Sequence, residues 1–261
     1  APLANVEATG VTTDVVERIE CSLQRDLLEE ARQRHGRVLL HDEVQNQDGN
    51  FTIVPVWETV REGDVLTPRE VYERVRNEGF RVDYARVAVT DEQAPVPNVF
   101  SQLEERVQHA IETHSMTVFN CQMGRGRTTS GMVIAALIVT IDACGRELLA
   151  KKSALHTASL DAYVGDLRED ELLLQGEYRC ILQLVGVLSQ GRLAKDLTDR
   201  VIDRMETIQN LRKAISLMKL RADNAELGSS RQRQLVTMFR HYLGRYGYLI
   251  AFAAYLLDRI C

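Results

Sequence analysis

Between Cys121 and Thr128 the chain reads Cys-Gln-Met-Gly-Arg-Gly-Arg-Thr. These residue types at this spacing suit phosphoryl transfer to sulfur. A tight loop holding Gly124 and Gly126 can turn successive backbone N–H groups inward around a phosphate. Gln122, Met123, Gly124, Arg125 and Gly126 are therefore expected to bind substrate. A helix beginning after the loop adds the positive end of its dipole to the same cavity. Arg127, separated from Cys121 by five residues, offers a planar fork to two phosphate oxygens, which lysine matches less well. The same field favours the thiolate of Cys121, the form of cysteine that attacks. Thr128 is placed to hydrogen-bond that thiolate and ease its departure when water cleaves the intermediate.

Two other phosphate loops fit worse. A Walker A loop needs lysine just before its Ser/Thr, where Arg127 stands. A dinucleotide loop needs glycine where this chain has Thr129. A buried, inert thiol is the remaining reading of Cys121. The spacing, the two arginines and the strand–loop–helix setting argue against it. Cys21, Cys144, Cys180 and Cys261 lie in helical patterns without such a loop and read as structural.

A cysteinyl-phosphate route also needs a proton for the leaving oxygen. The stretch Val89-Thr90-Asp91-Glu92-Gln93-Ala94-Pro95 offers one, with Asp91 standing 30 residues before Cys121. Asp91 is expected to be the general acid, and Glu92 to share that role or bind substrate. A turn or capping carboxylate is the alternative for Asp91.

The elements that must position these groups follow from periodicity. Residues 14–34 are helix-like, with Asp14 as cap and Gly36 as stop. Strands are expected at 37–44 and 51–60 across the turn QNQDGN. Thr67, Pro68 and Glu70 form a capping box for a helix to about 77. A strand at 80–89, a loop at 91–97, an amphipathic helix at 98–114 and a strand at 116–120 lead into the glycine loop. A helix from about 128 to 143 follows it. Residues 152–170 read as a loop or insertion, and 176–188, 195–204, 207–220, 231–242 and 246–260 as mostly helical. This alternation predicts an α/β fold with a largely parallel central sheet, and the loop at its ligand-binding edge. One domain is expected over 1–261, with an α/β core at about 37–150 and helical completion and extension at 176–261. The end of the chain within an apolar helix reads as the mark of a piece cut from a longer protein.

Taken in order, FTIVPVWETV, TPREVYERV, RVDYARVAVTDEQAP, FNCQMGRGRTTSGM, GEYRCILQLVGVL and YGYLIAFAAYL resemble the paladin-like branch of the phytase-like cysteine phosphatases, within the protein-tyrosine-phosphatase superfamily. The resemblance extends from about Leu39 to the end. It implies a dual-specificity-phosphatase-like central sheet flanked by helices, with a C-terminal helical extension. It implies Cys121 as nucleophile, Asp91 as general acid and Arg127 as phosphate clamp. Implied substrates are phosphoinositides or soluble inositol polyphosphates, and tandem repeats are common in such proteins. Many superfamily members place histidine directly before the cysteine to order the loop, whereas this chain has Asn120.

Arg125 is expected at the pocket mouth, where a cation suits a polyphosphorylated ring. The eight tyrosines are dispersed and supply no obvious aromatic wall for phosphotyrosine. Arg86 is a candidate substrate contact, with a solvated strand arginine as the alternative. Arg231, Arg233, Arg240, His241 and Arg245 read as a solvated helix face, with transient contact to a membrane surface or phosphate-rich ligand as the alternative. A formal net charge of −5 argues against a nucleic-acid partner. Five scattered cysteines without a CxxC pair argue against a zinc site or disulfide framework, and for a reducing, cytoplasmic setting. The opening ten residues lack the basic and apolar regions of a leader, and the apolar windows 131–143 and 246–257 are short for a membrane span. The expectation is a metal-independent, cofactor-free phosphatase. A phosphate-binding pseudophosphatase scaffold and a protein tyrosine or dual-specificity phosphatase are the alternatives.

Overall fold

A computed structural model describes residues 10–155 and 169–260. The fold is mixed α/β and mostly helical. The chain divides into two compact units, Val11–Ala88 and the remainder.

In the Val11–Ala88 unit, helix α1 (Thr13–Gln33) carries Asp14 in its first turn, where a carboxylate favours the helix dipole. It ends as His35 and Gly36 take φ of 56° and 79°, and Gly36 N–H closes onto Ala31 O at 2.7 Å. Strands β1 (Arg37–Gln45) and β2 (Phe51–Thr59) form an antiparallel hairpin, with Arg37 opposite Thr59 and Gln45 opposite Phe51. Trp57 lies between the guanidiniums of Arg34 and Arg37, at 5.4 and 5.3 Å. Helix α2 (Pro68–Asn77) opens with the expected box: Glu70 Oε2 accepts from Thr67 N–H at 2.7 Å, and Thr67 Oγ1 accepts from Glu70 N–H. Gln24 of α1 donates to the same carboxylate at 2.7 Å and so ties the two helices together.

The other unit is built around helices α4 (Gly126–Leu155) and α9 (Ser230–Asp258). Helix α4 packs against α3 (Pro97–Glu112), α7 (Gly191–Arg204) and α9, and α9 also packs against α8 (Leu211–Asp223). Short helices α5 (Glu169–Leu174) and α6 (Arg179–Val187) complete the unit. Ile134, Leu137 and Ile138 of α4 and Leu249, Ile250 and Leu257 of α9 are almost wholly buried. Each such side chain contributes roughly 1.5–3 kcal/mol over exposure. The two apolar windows of the sequence are thus the core of this unit. Among the described residues no helix is long and apolar enough to cross a membrane.

The expected parallel central sheet does not form among the described residues, where the sheet is the β1–β2 hairpin. The stretches 80–89 and 116–120, expected as strands, carry no ladder. Side chains hold them instead. Tyr84 stacks on Tyr72 at 4.6 Å, Arg76 Nε donates to Val82 O at 3.2 Å, and Thr13 Oγ1 donates to Arg86 O at 3.3 Å. Phe119 lies so close to α4 that a Cβ at Gly131 would stand 2.7 Å from its ring. Alternating apolar residues mark a chain that fits a pleated surface, but pairing needs a partner that the pattern does not name. Of the stretch expected as a loop, 152–155 continue α4, 169–170 begin α5, and 156–168 lie outside the described residues.

Candidate active site

The phosphate-type loop occupies 121–125, and α4 starts at Gly126. Gly124 has φ +68°, a left-handed turn that glycine adopts at little cost. The turn brings backbone N–H groups of Gly124, Arg125 and Thr128 onto the sulfur of Cys121. Burial alone would raise the Cys121 thiol. The Thr128 hydroxyl and these N–H groups outweigh burial and hold the thiol at about 7, below its ordinary 9.0. Thr128 Oγ1 is buried and makes no aligned hydrogen bond to another group. A thiol is a weak acceptor and a thiolate a strong one, so this hydroxyl gains its partner when the proton leaves.

The neighbouring hydroxyls are already engaged. Thr129 Oγ1 donates to Arg125 O at 2.5 Å, and Ser130 Oγ donates to Gly126 O at 2.8 Å. Thr128 is thus set apart within the first turn of α4. Phe119, seated on Gly131, lies two residues before Cys121. Asn120 is exposed, as are Gln122, Met123, Gly124 and Arg125.

Asp91 and Arg127 meet across the site. Arg127 Nε lies 3.2 Å from Asp91 Oδ1, without the alignment of a hydrogen bond. Asp91 Oδ1 also accepts from the Glu92 N–H at 3.1 Å. Glu92 is exposed and has φ 57°, a left-handed conformation unusual for glutamate. Cys121, Thr128, Arg127 and Asp91, named from sequence, are therefore gathered at one helix start and the loop facing it. Arg86 belongs to the Val11–Ala88 unit, where its guanidinium pairs with Glu20 at 2.6 Å.

Arg245 corrects the sequence reading. It does not share the solvated face of Arg231, Arg233 and Arg240, being only 2% exposed. Its Nε and Nη2 donate to Gln93 O at 3.3 and 3.2 Å, two residues past Asp91. Gln209, also unforeseen, accepts from Thr129 Oγ1 at 3.4 Å. Gly126, Thr129, Ser130, Gln209 and Arg245 line a small cavity behind the loop. A charged residue at a helical spacing normally faces water, so sequence carried no signal for Arg245. Among the described residues Cys21, Cys121, Cys144 and Cys180 are free thiols, and no cluster has the makings of a metal site.

Comparison with known proteins places this geometry in context. A family model for PTP-like phytases, described as "Inositol hexakisphosphate", matches residues 1–139, from before the Asp91 loop to the middle of α4. Paladin of Gallus gallus is 27% identical over 256 residues, covering 94% of this chain and 26% of that protein. Paladin of Homo sapiens is 29% identical over 208 residues, covering 76% and 22%. The effector protein hopD2 of Pseudomonas syringae pv. tomato is 34% identical over 55 residues, 21% of this chain and 12% of that protein. The chain thus spans about a quarter of the length of the paladins it matches. No solved structure matches it.

Proposed function

The chain belongs to the PTP-like phytase family, and from that premise we propose that it is a metal-independent phosphatase acting on phosphomonoesters of an inositol polyphosphate or phosphoinositide. The observation that carries the reading is the thiol of Cys121, held at about 7 by donors of a glycine loop at a helix start. That arrangement supplies a nucleophile and an anion cradle together. Phosphate enters the loop and is bound by the N–H groups of 122–126, with Arg127 turning its fork from Asp91 to two phosphate oxygens. Arg125 at the mouth attracts the remaining phosphates of the ring.

The Cys121 thiolate attacks phosphorus as the ester P–O bond breaks. Asp91 gives its proton to the leaving alkoxide. Water then attacks the phosphocysteine, Asp91 takes a proton from it, and inorganic phosphate leaves with the thiolate restored and helped by Thr128. Glu92, beside Asp91, shares the acid role or contacts substrate. Arg86 would have to leave Glu20 to serve as a substrate contact. A reducing, cytoplasmic setting suits a nucleophile that must stay a free thiol.

Phosphate release from inositol hexakisphosphate and from phosphoinositides, in the presence of a chelator, tests the proposal. Turnover is expected for the native chain and its loss for Cys121→Ser. Full turnover by Cys121→Ser would discard the mechanism. A second reading, a phosphate-binding module without turnover, is favoured by Asn120 standing where many cysteine phosphatases have histidine. Tight inositol phosphate binding with no phosphate release would decide for it. Faster release from phosphopeptides than from inositol phosphates would move the substrate class to proteins.

A further inference from the structure

Arg245 stands where the two halves of the proposed site meet. Two of its N–H groups grip one carbonyl, Gln93 O, on the acid loop. On the other side, its Nη1 lies 3.3 Å from the position a Cβ would take on Gly126, the first residue of α4. The ring of Tyr242 supports the guanidinium at 5.0 Å. Burial and nearby Arg127 disfavour its charge more than Tyr242, Asp91 and Glu92 favour it, so its pKa lies below the ordinary arginine value. The acid loop needs such a hold, because Glu92 at its tip keeps a left-handed backbone without being glycine. Arginine suits the task better than lysine, since its planar fork presents two N–H groups to one carbonyl. A methyl at 126 would press on Nη1 and push the guanidinium aside by a few tenths of an ångström.

We propose that Arg245 is a positioning residue that fastens the Asp91 loop to α9 beside the start of α4, and so sets where the acid carboxyl meets the leaving oxygen. The catalytic part rests on the reading of Asp91 as general acid. The mechanical part does not. Arg245 touches neither sulfur nor phosphate and acts through the loop. Its effect is therefore selective: substrates that need a proton on departure depend on it, and those with good leaving groups do not.

The test combines backbone amide hydrogen exchange with leaving-group selectivity in Arg245→Gln and Arg245→Lys. Exchange over 89–96 is expected to quicken in Arg245→Gln while α7 and α8 keep their protection, with Arg245→Lys in between. On an inositol phosphate, kcat should fall by about 10²-fold, the scale on which a small misplacement acts, with KM little changed. On p-nitrophenyl phosphate kcat should change little, and in an Asp91→Asn background the Arg245 effect should vanish. Gly126→Ala, which crowds the guanidinium without removing it, should also loosen 89–96. Unchanged exchange there, equal losses on both substrates, or a global loss of protection in Arg245→Lys would each overturn the proposal. Absence of turnover in the native chain would sink the phosphatase reading instead, and the exchange experiment would still decide whether Arg245 fastens the loop.

Discussion

At the scale of single residues, the site is a competition for charge. The main donors that lower the Cys121 thiol to about 7 come from 124–128, against a burial effect of opposite sign. Its alkylation rate by iodoacetamide should therefore rise with pH through about 7 and level off above it, because only the thiolate reacts. Thr128→Ala removes one stabiliser of the thiolate, and the inflection should move up toward 9.0. An inflection unmoved by that change would mean that the backbone alone sets the thiol. Arg127 already has a partner, since its Nε lies 3.2 Å from Asp91 Oδ1, and an anion bound at the loop would compete with Asp91 for it. Asp91→Asn takes away the rival charge, so tungstate or inorganic phosphate should bind more tightly. At the same time turnover of alkyl phosphates should drop by about 10²–10⁴-fold, the usual worth of a general acid. Calorimetry and a rate assay on the same sample check both halves. Weaker anion binding by the variant would show that Asp91 supports Arg127 and does not compete for it.

At the scale of elements, what was legible in the sequence was what local rules decide. The Thr67–Glu70 box and the start of α2 depend on residues three apart, and they form as read. The α4 start after a glycine loop was equally local. The absence of the expected central sheet among the described residues was not legible, because 80–89 and 116–120 are fixed by contacts distant in sequence. Phe119 is the telling case: its apolar character suggested a strand, but its partner is the bare backbone of Gly131 on a helix. Gly131→Ala places a methyl 2.7 Å from the Phe119 ring, and the ring must move with the loop start attached to it. The expected outcome is slower alkylation of Cys121 with circular dichroism nearly unchanged. Phe119→Ala should cost less in the Gly131→Ala background than in the native chain, as for any pair in direct contact. Additive effects would place the two residues in separate roles.

At the scale of the whole unit, the site is tied to a helical core whose polar joints lie far from it in sequence. Lys195 of α7 pairs with Glu177 and Asp199, each at 2.9 Å, and Tyr246 of α9 donates to Asp199 Oδ1 at 2.6 Å. Arg212 of α8 reaches Asp203 at 2.5 Å and Asp199 at 3.7 Å. Tyr246 follows directly on Arg245, so the joint that fixes α9 also fixes the guanidinium under the acid loop. Burial works against the charge of Lys195, yet its two carboxylates outweigh it and raise its pKa above the ordinary 10.5. A raised lysine adds stability that is complete below the unfolded value and is lost as pH rises through the folded one. Burial raises Asp199 too, so its ionisation takes stability away as pH climbs from the ordinary 3.8 through that raised value. Lys195 is therefore one of two cations, with Arg212, that hold the cluster at neutral pH. Lys195→Met leaves two carboxylates facing each other, and should cost about 3 kcal/mol in urea unfolding at pH 7. The gap from the native chain should narrow above pH 10.5, where the lysine charge is itself lost. Below the unfolding transition, the pH profile of Cys121 alkylation should stay where it was, because the main donors to the sulfur lie within 124–128. A shifted profile would mean that the thiol is tuned through α9 as well, and an unchanged urea midpoint would remove the cluster from the stability of the fold.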